Sequence, residues 1–490
     1  MLNIAIVGTG NIAPSHVEGL LTFPERCKIV ALCDIYPEKA QAMKEKYHLD
    51  CQVFDDHQKM LAAGVPIDVV HVCTPPYTHA EIAIHSMDAG KNVVVEKPMA
   101  TCLKECDEML AAEERNHVTM GCIAQNRFRD SIYKLRETLN SGLAGKLRVA
   151  HVNSLWWRGH CYYDLWWRGL WEKEGGGCTL NHAVHHIDMI NWMKGELPQK
   201  VTSILSNVMH DNAEVEDLSF STLQYADGSV AQVTASVVHH GEEQGVELQC
   251  EKAKIAAPWS CYASVSKDNG FPNRDEALEG KLADFYNSLP HLPYEGHTGE
   301  IDNYLTALEQ GQRPMITGKD GRRTIELITA IYKSGSLGQT VTLPIQEDDD
   351  FYTFQGLLSH APHFYEKTAS VENFAPDTIT VGNYDEKKYR RTERNGSKRR
   401  HVLRRERQAR PGGKARGIRV FRRGAGPRPH LRHDQRPAGR GRHLEVRLRS
   451  RPPEGGGLPQ GLPPGHRRRK RGAGAGRPGD KAGGRRLRHQ

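Results

Sequence analysis

Three groups of residues have the types and spacing to do chemistry. Gly8-Thr9-Gly10-Asn11-Ile12-Ala13 follows an apolar run and fits a G-x-G-x-x-G/A loop. In such a loop the first glycine makes a tight turn, the second lets the backbone approach a pyrophosphate, and a small last residue permits close helix–strand packing. Asp34 follows about twenty residues on, where a carboxylate accepts from ribose hydroxyls. No Lys or Arg occupies the next four positions, so the pattern favours NAD over NADP. His182 and His186 are four apart, a spacing that on one helix face could offer two imidazoles to a metal. No third ligand sits at a recognised spacing, and no metal is expected. Five of the seven tryptophans lie between Trp156 and Trp171, beside Tyr162, Tyr163 and Arg168. Flat aromatic faces suit the apolar faces of sugar rings, and cations stack on them. Trp167 and Arg168 are the members expected to reach cofactor or substrate.

The elements that must position these groups can be read from periodicity. Asn3–Val7, Lys28–Cys33, 51–54, Val69–Cys73, Asn92–Val95 and 118–122 are short apolar or β-branched runs that alternate with helical patterns at Pro37–Tyr47, His79–Ala89 and Leu103–Arg115. Strict alternation implies parallel strands with right-handed crossovers, hence a doubly wound α/β sheet. Strand-like segments then recur at Lys146–Leu155, Lys200–Met209, Leu218–Tyr225, Ser229–Val238 and Val246–Cys250, with Asp227-Gly228 a hairpin turn.

These residues, with Cys73-Thr74-Pro75-Pro76-Tyr77-Thr78-His79 and above all Gly90-Lys91-Asn92-Val93-Val94-Val95-Glu96-Lys97-Pro98, resemble the Gfo/Idh/MocA family of glucose–fructose oxidoreductase and inositol dehydrogenase-like enzymes. Gly175-Gly176-Gly177 with Asn181, His185 and Asp188 continues the likeness, as do Val215-Glu216-Asp217, Tyr225-Ala226-Asp227-Gly228-Ser229 and Leu343-Pro344-Ile345. The resemblance spans residues 2–345. It implies an N-terminal Rossmann domain (1–124) and a C-terminal α/β domain (125–345) with a large open, mostly antiparallel sheet and a terminal helix (298–338) packing back. It further implies a homo-oligomer, dimer or tetramer.

The implied activity is hydride transfer between NAD and a hydroxyl of a sugar, cyclitol or glycoside. Lys97 and His185 carry the proton chemistry in this reading, with Lys97–Pro98 a cis bond. Many relatives have Asp four positions before the histidine, but this chain has Asn181. An amide can orient the ring but cannot take up a proton, which shifts the base role towards Lys97. Cofactor contacts are expected from Gly8, Gly10, Asn11, Ile12, Asp34, Thr74, Pro75, His79, Glu96 and Arg168. His79 reads equally as the cap of the helix it begins, and Glu96 as a partner of a helix terminus. Substrate contacts are expected from Lys97, Arg127, Trp167, Asn181, His182 and His185. Two other functions share this fold: glycoside cleavage through transient oxidation and elimination, and non-catalytic sensing of NAD and sugar.

Charge divides the chain in two. Of 67 basic and 59 acidic residues, 32 and 6 fall in 391–490, so the stretch is +26 and the other 390 residues are −18. The overall basic balance is therefore no argument that the body binds nucleic acid. The tail has 28 Arg, 19 Gly and 10 Pro with a single aromatic, Phe421, and cannot bury enough to offset its ordering entropy. Disorder is expected there, and its Arg/Gly/Pro/Ala composition suggests out-of-frame translation beginning near 388–398. Residues 346–390 read as an extension without an assigned role. The eleven cysteines all precede residue 262 and show no CxxC pair, which argues for reduced thiols. No run is long enough to span a membrane, the chain enters a strand at Leu2 with no room for a signal peptide, and a cytoplasmic location is expected.

Overall fold

The structure is a computed structural model that describes residues 1–371; the expectations for 391–490, and for the later part of 346–390, lie outside the described residues. The N-terminal third of the described residues forms a six-stranded parallel sheet of β1 (Leu2–Val7), β2 (Cys27–Cys33), β3 (Gln52–Phe54), β4 (Val69–Val72), β5 (Asn92–Val95) and β6 (Met120–Cys122), in the order β3-β2-β1-β4-β5-β6. Helices α1 (Ala13–Leu21), α2 (Pro37–Lys46), α3 (His57–Ala62), α4 (His79–Asp88) and α5 (Leu103–Asn116) make the crossovers. Strands such as β4 and β5 are almost wholly apolar because helices cover both faces of a parallel sheet. The strand order reverses between β1 and β4, which opens a crevice at their carboxyl ends.

The chain then crosses through residues 125–128 into α6 (Asp130–Asn140), β7 (Leu147–Leu155), α7 (Trp171–Glu174), α8 (Cys178–Asn181) and α9 (Val184–Lys194). Eight further strands join β7: β8 (Lys200–Ser206), β9 (Leu218–Gln224), β10 (Val230–Ser236), β11 (Gln244–Cys250), β12 (Ala253–Ala257), β13 (Ser260–Ser266), β14 (Pro272–Arg274) and β15 (Val341–Thr342). Their order is β14-β13-β12-β11-β7-β10-β9-β8-β15, and only β7 and β10 run parallel. On β9, Ser219, Ser221 and Leu223 are buried while Phe220, Thr222 and Gln224 are exposed, the alternation of a sheet packed on one face only.

The expected single helix over 298–338 is two helices, α11 (Gly296–Gln310) and α12 (Gly318–Leu337), which follow α10 (Glu276–Ser288). Gly311 ends α11 in the left-handed conformation, Pro314 stands between, and Thr317 with Asp320 forms a capping box that starts α12 afresh. Residues beyond 345 are part of the packed body as far as described. Phe351, Tyr352 and Leu357 of this segment are buried, the last on α13 (Phe354–His360).

Candidate active site

The glycine loop joins β1 to α1 at the crevice. A side chain at Gly8 would come within 2.7 Å of the Cys73 backbone at the end of β4, so only glycine lets the two strand ends meet. At Gly10 the space is open, and the N–H groups of Gly10, Asn11 and Ile12 find no acceptor among the described residues. Unsatisfied amides at a helix N-terminus with room before them suit a pyrophosphate. Asp34 at the end of β2 accepts from the N–H and hydroxyl of Thr9, both at 2.8 Å, and from the N–H of Tyr36 at 2.9 Å. Asp34 is only part-buried, and its carboxylate oxygens have lone pairs left to accept from ribose hydroxyls. These residues fit a dinucleotide.

Thr74 and exposed Pro75 stand at the end of β4, on the rim of the same crevice. His79 does not line it. This histidine is wholly buried, and its ring nitrogens meet the carbonyl oxygens of Thr74 at 2.7 Å and Pro98 at 2.8 Å. It ties the rim to the segment that carries Lys97, and burial lowers its pKa.

Lys97 follows β5, joined to Pro98 by a cis bond. Its Nζ donates to the Asn181 carbonyl oxygen at 3.3 Å. Burial pulls the Lys97 pKa down, with Arg168 adding to the effect and Glu96 opposing it. His185, on the first turn of α9, lines one cavity with Lys97, Met99, Cys122, Ala124 and Val184. Burial, and then the Lys97 charge, hold the imidazole well below the usual histidine range, so it is neutral at pH 7.

The chain between them is anchored from a distance. A side chain at Gly176 would lie 2.1 Å from the Tyr332 hydroxyl, and one at Gly177 would lie 1.9 Å from the Glu216 carbonyl, so the triple glycine is the price of close packing. Glu216 accepts from the N–H groups of Gly177 and Thr179 and from the Tyr332 hydroxyl; burial pushes its pKa up to about 7. The Asn181 amide donates to the carbonyls of Gly176 at 2.8 Å and Gly177 at 3.3 Å. Among the described residues no hydrogen bond joins Asn181 to His185, so the expected orientation of the ring by this side chain is replaced by a role in shaping the glycine loop.

Arg127, expected at the substrate, is 3% exposed and belongs to the scaffold. Its Nε and Nη2 donate to the two carboxylate oxygens of Asp188 at 2.8 and 2.6 Å, and Nη1 and Nη2 to Asp320 at 3.2 Å. Three segments, the crossover, α9 and α12, thereby meet at one guanidinium. His182 and His186 do not share a helix face either: α8 ends at Asn181 and α9 begins at Val184. Among the described residues neither joins a three-ligand cluster. His182 lies beside Trp156 and Tyr162, with Nε2 3.4 Å from the Tyr162 hydroxyl.

The aromatic segment is a stack. Arg168 lies 4.2 Å from the ring centroids of both Tyr162 and Trp167 and donates to Glu174 at 2.7 Å. Residues 362–371 strap it in place. Trp166 N–H donates to Val371, Val371 N–H to Asp164, and the Trp171 indole to Pro362. Asn212 accepts from the N–H groups of Thr368 and Ala369.

Glu96 is buried rather than open to the crevice, and its partners are two histidine rings and one backbone N–H rather than a helix terminus. Its Oε1 accepts from His16 Nε2 at 2.9 Å and His297 Nε2 at 3.0 Å, and its Oε2 from the Lys97 N–H at 3.0 Å. His16 in turn meets His71 through their Nδ1 atoms at 2.8 Å. The sequence reading missed these three histidines. His16 had a signal, three residues past Ala13 on the helix that opens the crevice; His297 had none, being 201 residues from its partner.

Comparison with known proteins agrees with this geometry. Residues 2–123 match the family described as "Oxidoreductase family, NAD-binding Rossmann fold" (GFO_IDH_MocA), and 132–256 match the "GFO/IDH/MocA C-terminal domain". A 2,7-anhydro-N-acetylneuraminate hydratase of Mediterraneibacter gnavus is 30% identical over 255 residues, 51% of this chain and 66% of that protein. The myo-inositol 2-dehydrogenase of Thermotoga maritima is 24% identical over 337 residues, 68% of this chain and 96% of its own length. Among solved structures, the WlbA dehydrogenase from Bordetella pertussis, in complex with NADH and UDP-GlcNAcA, superimposes with a TM-score of 0.60 at 25% identity, covering 70% of this chain and 99% of that one.

Proposed function

Because this chain belongs to the Gfo/Idh/MocA family of NAD-binding oxidoreductases, we propose that it moves a hydride between NAD and a hydroxyl-bearing carbon of a sugar, cyclitol or glycoside. The observation that carries this reading is that Lys97, just past the carboxyl end of β5, and His185 line one small cavity. Bound NAD supplies the hydride acceptor. Losing a hydride leaves the substrate hydroxyl with a proton to give up, and Lys97, whose pKa burial lowers, is the base assigned to take it. Neutral His185 donates its ring N–H to the oxygen of the same hydroxyl and fixes its direction. The Trp167–Arg168–Tyr162 stack offers flat faces to the ring of the substrate.

The test is NADH formation with a panel of free sugars, cyclitols and glycosides, using the wild type and Lys97→Ala. The expected result is turnover of part of the panel by the wild type and none by the variant; equal turnover without Lys97 would sink the assignment. The likeness to a hydratase favours a second reading, in which oxidation is transient and the cofactor is regenerated after elimination. Substrate consumption with no net NADH distinguishes it. NAD binding without turnover of any panel member would instead support a sensing role.

Two coarser features complete the proposal. No helix among the described residues is long and apolar enough to cross a membrane. All eleven cysteines are unpaired, which supports a reducing, cytoplasmic setting. On the open face of the nine-stranded sheet, Ile204 (66% exposed) pairs across strands with Phe220, and Val149 with Val230, all exposed. Such a face supports a homo-oligomer formed sheet to sheet.

A further inference from the structure

Four titratable side chains with no part in the reaction outlined above are gathered beside Lys97. Glu96, His16 and His71 are buried, and His297 leaves 13% of its side chain exposed. An ionised carboxylate taken out of water is costly unless donors surround it. Glu96 has three: His16 Nε2, His297 Nε2 and the Lys97 N–H. A carboxylate only accepts, so both Nε2 atoms carry hydrogens; a neutral His16 then has a bare Nδ1, and His71 donates to it from its own Nδ1. The tautomers of His16, His297 and, through His16, His71 are thus fixed by the carboxylate. The members come from four elements: α1 (His16), β4 (His71), the end of β5 (Glu96) and α11 (His297).

We propose that Glu96, clamped between His16 and His297, is a positioning group for the reaction: it fixes the backbone of Lys97 and supplies the negative charge against which the Lys97 amine works. His297 is the remote half of that clamp, reaching the site from a helix that follows the second sheet. The proposal rests on the oxidoreductase reading for its purpose, though not for its test. The charges around the pair are consistent with it. Burial pulls the Glu96 pKa upward, but the N–H groups of His16 and His297 outweigh it and hold the carboxyl well below the usual range. Glu96 also faces His71, Cys73, His79, Cys122, His185 and Glu300; Lys97 faces Glu96, Arg168, Glu174, His182 and His185. Glu174 shares its charge with Arg168, to which it is hydrogen-bonded, so Glu96 is the carboxylate left to favour the Lys97 ammonium.

The experiment reads Lys97 directly. The full-length, NAD-bound protein is treated with limiting acetic anhydride across a pH series, and acylation of the Lys97 peptide is followed by mass spectrometry. In Glu96→Gln the midpoint should fall by about one pH unit, since an opposite charge nearby is what it removes. His297→Ala should move it the same way by less, and His297→Gln, whose amide still donates, should restore it. Thermal melting identifies variants that fold. Should Glu96→Gln fail to fold, the two His297 variants decide. An unmoved midpoint in the folded variants overturns the proposal. So does one zinc ion per chain in the purified protein that is lost from His297→Ala, because the ligating atoms of His16, Glu96 and His297 lie within 4.8 Å of one another and would then be a metal site. No substrate is needed, so an enzyme inactive on every alcohol tried would defeat the functional reading and leave this result standing.

Discussion

Arg127 and Lys97 are both cations drawn into the interior between the two sheets, and the protein partners them in opposite ways. Arg127 has two carboxylates, and despite its burial their charges raise its pKa further. Lys97 has one carbonyl oxygen at 3.3 Å, and burial lowers its pKa. Surplus partners make the first a fixed joint. The shortage of partners makes the second a group that can change its proton.

The contrast can be broken at either end. Lys97→Ala should lower kcat/KM by about 10³ to 10⁴, the upper part of what a positioned acid–base group contributes, with little change in melting temperature. Arg127→Met should do the reverse. It leaves Asp188 buried without its partner, at a cost of about 3–5 kcal/mol measured by urea denaturation. If Lys97→Ala unfolded as readily as Arg127→Met, the distinction would be lost.

Two smaller effects sharpen it. His16, His71, His79, His182, His185 and His186 all have folded-state pKa values below the ordinary 6.5. Below that pH the unfolded chain binds more protons than the folded one, so the stability these rings contribute is present above about 6.5 and is lost as pH falls. The unfolding free energy should drop by at least about 1.4 kcal/mol between pH 7.5 and 5.5, the contribution of a single histidine over that interval; a flat profile would mean the rings are solvated. Asn181→Asp would give Lys97 a second carboxylate and move it towards the condition of Arg127. The acid limb of the kcat/KM profile should rise by roughly half a pH unit to one unit, and a fall would show that the new carboxylate points elsewhere.

What could be read from the chain follows from the range of the interactions. The β1–loop–α1 unit and Asp34 were legible because one short stretch of backbone makes the turn, the open approach and the acceptor. Lys97, His185 and the triple glycine were legible through the Glu96-Lys97-Pro98 and Gly175-Gly176-Gly177 motifs. Arg127 was misread because its partners lie 61 and 193 residues away, and no local pattern separates an arginine bound for substrate from one bound for Asp188. The same distance hid His297. Helices α11 and α12 were fused because the apolar spacing continues across Gly311 and Pro314, although both are breakers. Strands β12 to β14 were missed because they carry small and polar residues, such as Ala253, Ser260 and Asn273, in place of β-branched runs.

The strap formed by residues 362–371 has a consequence for the order in which the molecule is made. A ribosome delivers the glycine loop and its sheet within the first 124 residues, so the dinucleotide crevice can close early, as N-terminal units do. The aromatic stack at 156–171 emerges next but must wait some two hundred residues for Pro362, Thr368 and Val371 to secure it. A nascent chain halted near residue 345 would therefore hold the means to grip a nucleotide while the aromatic stack was still unfinished.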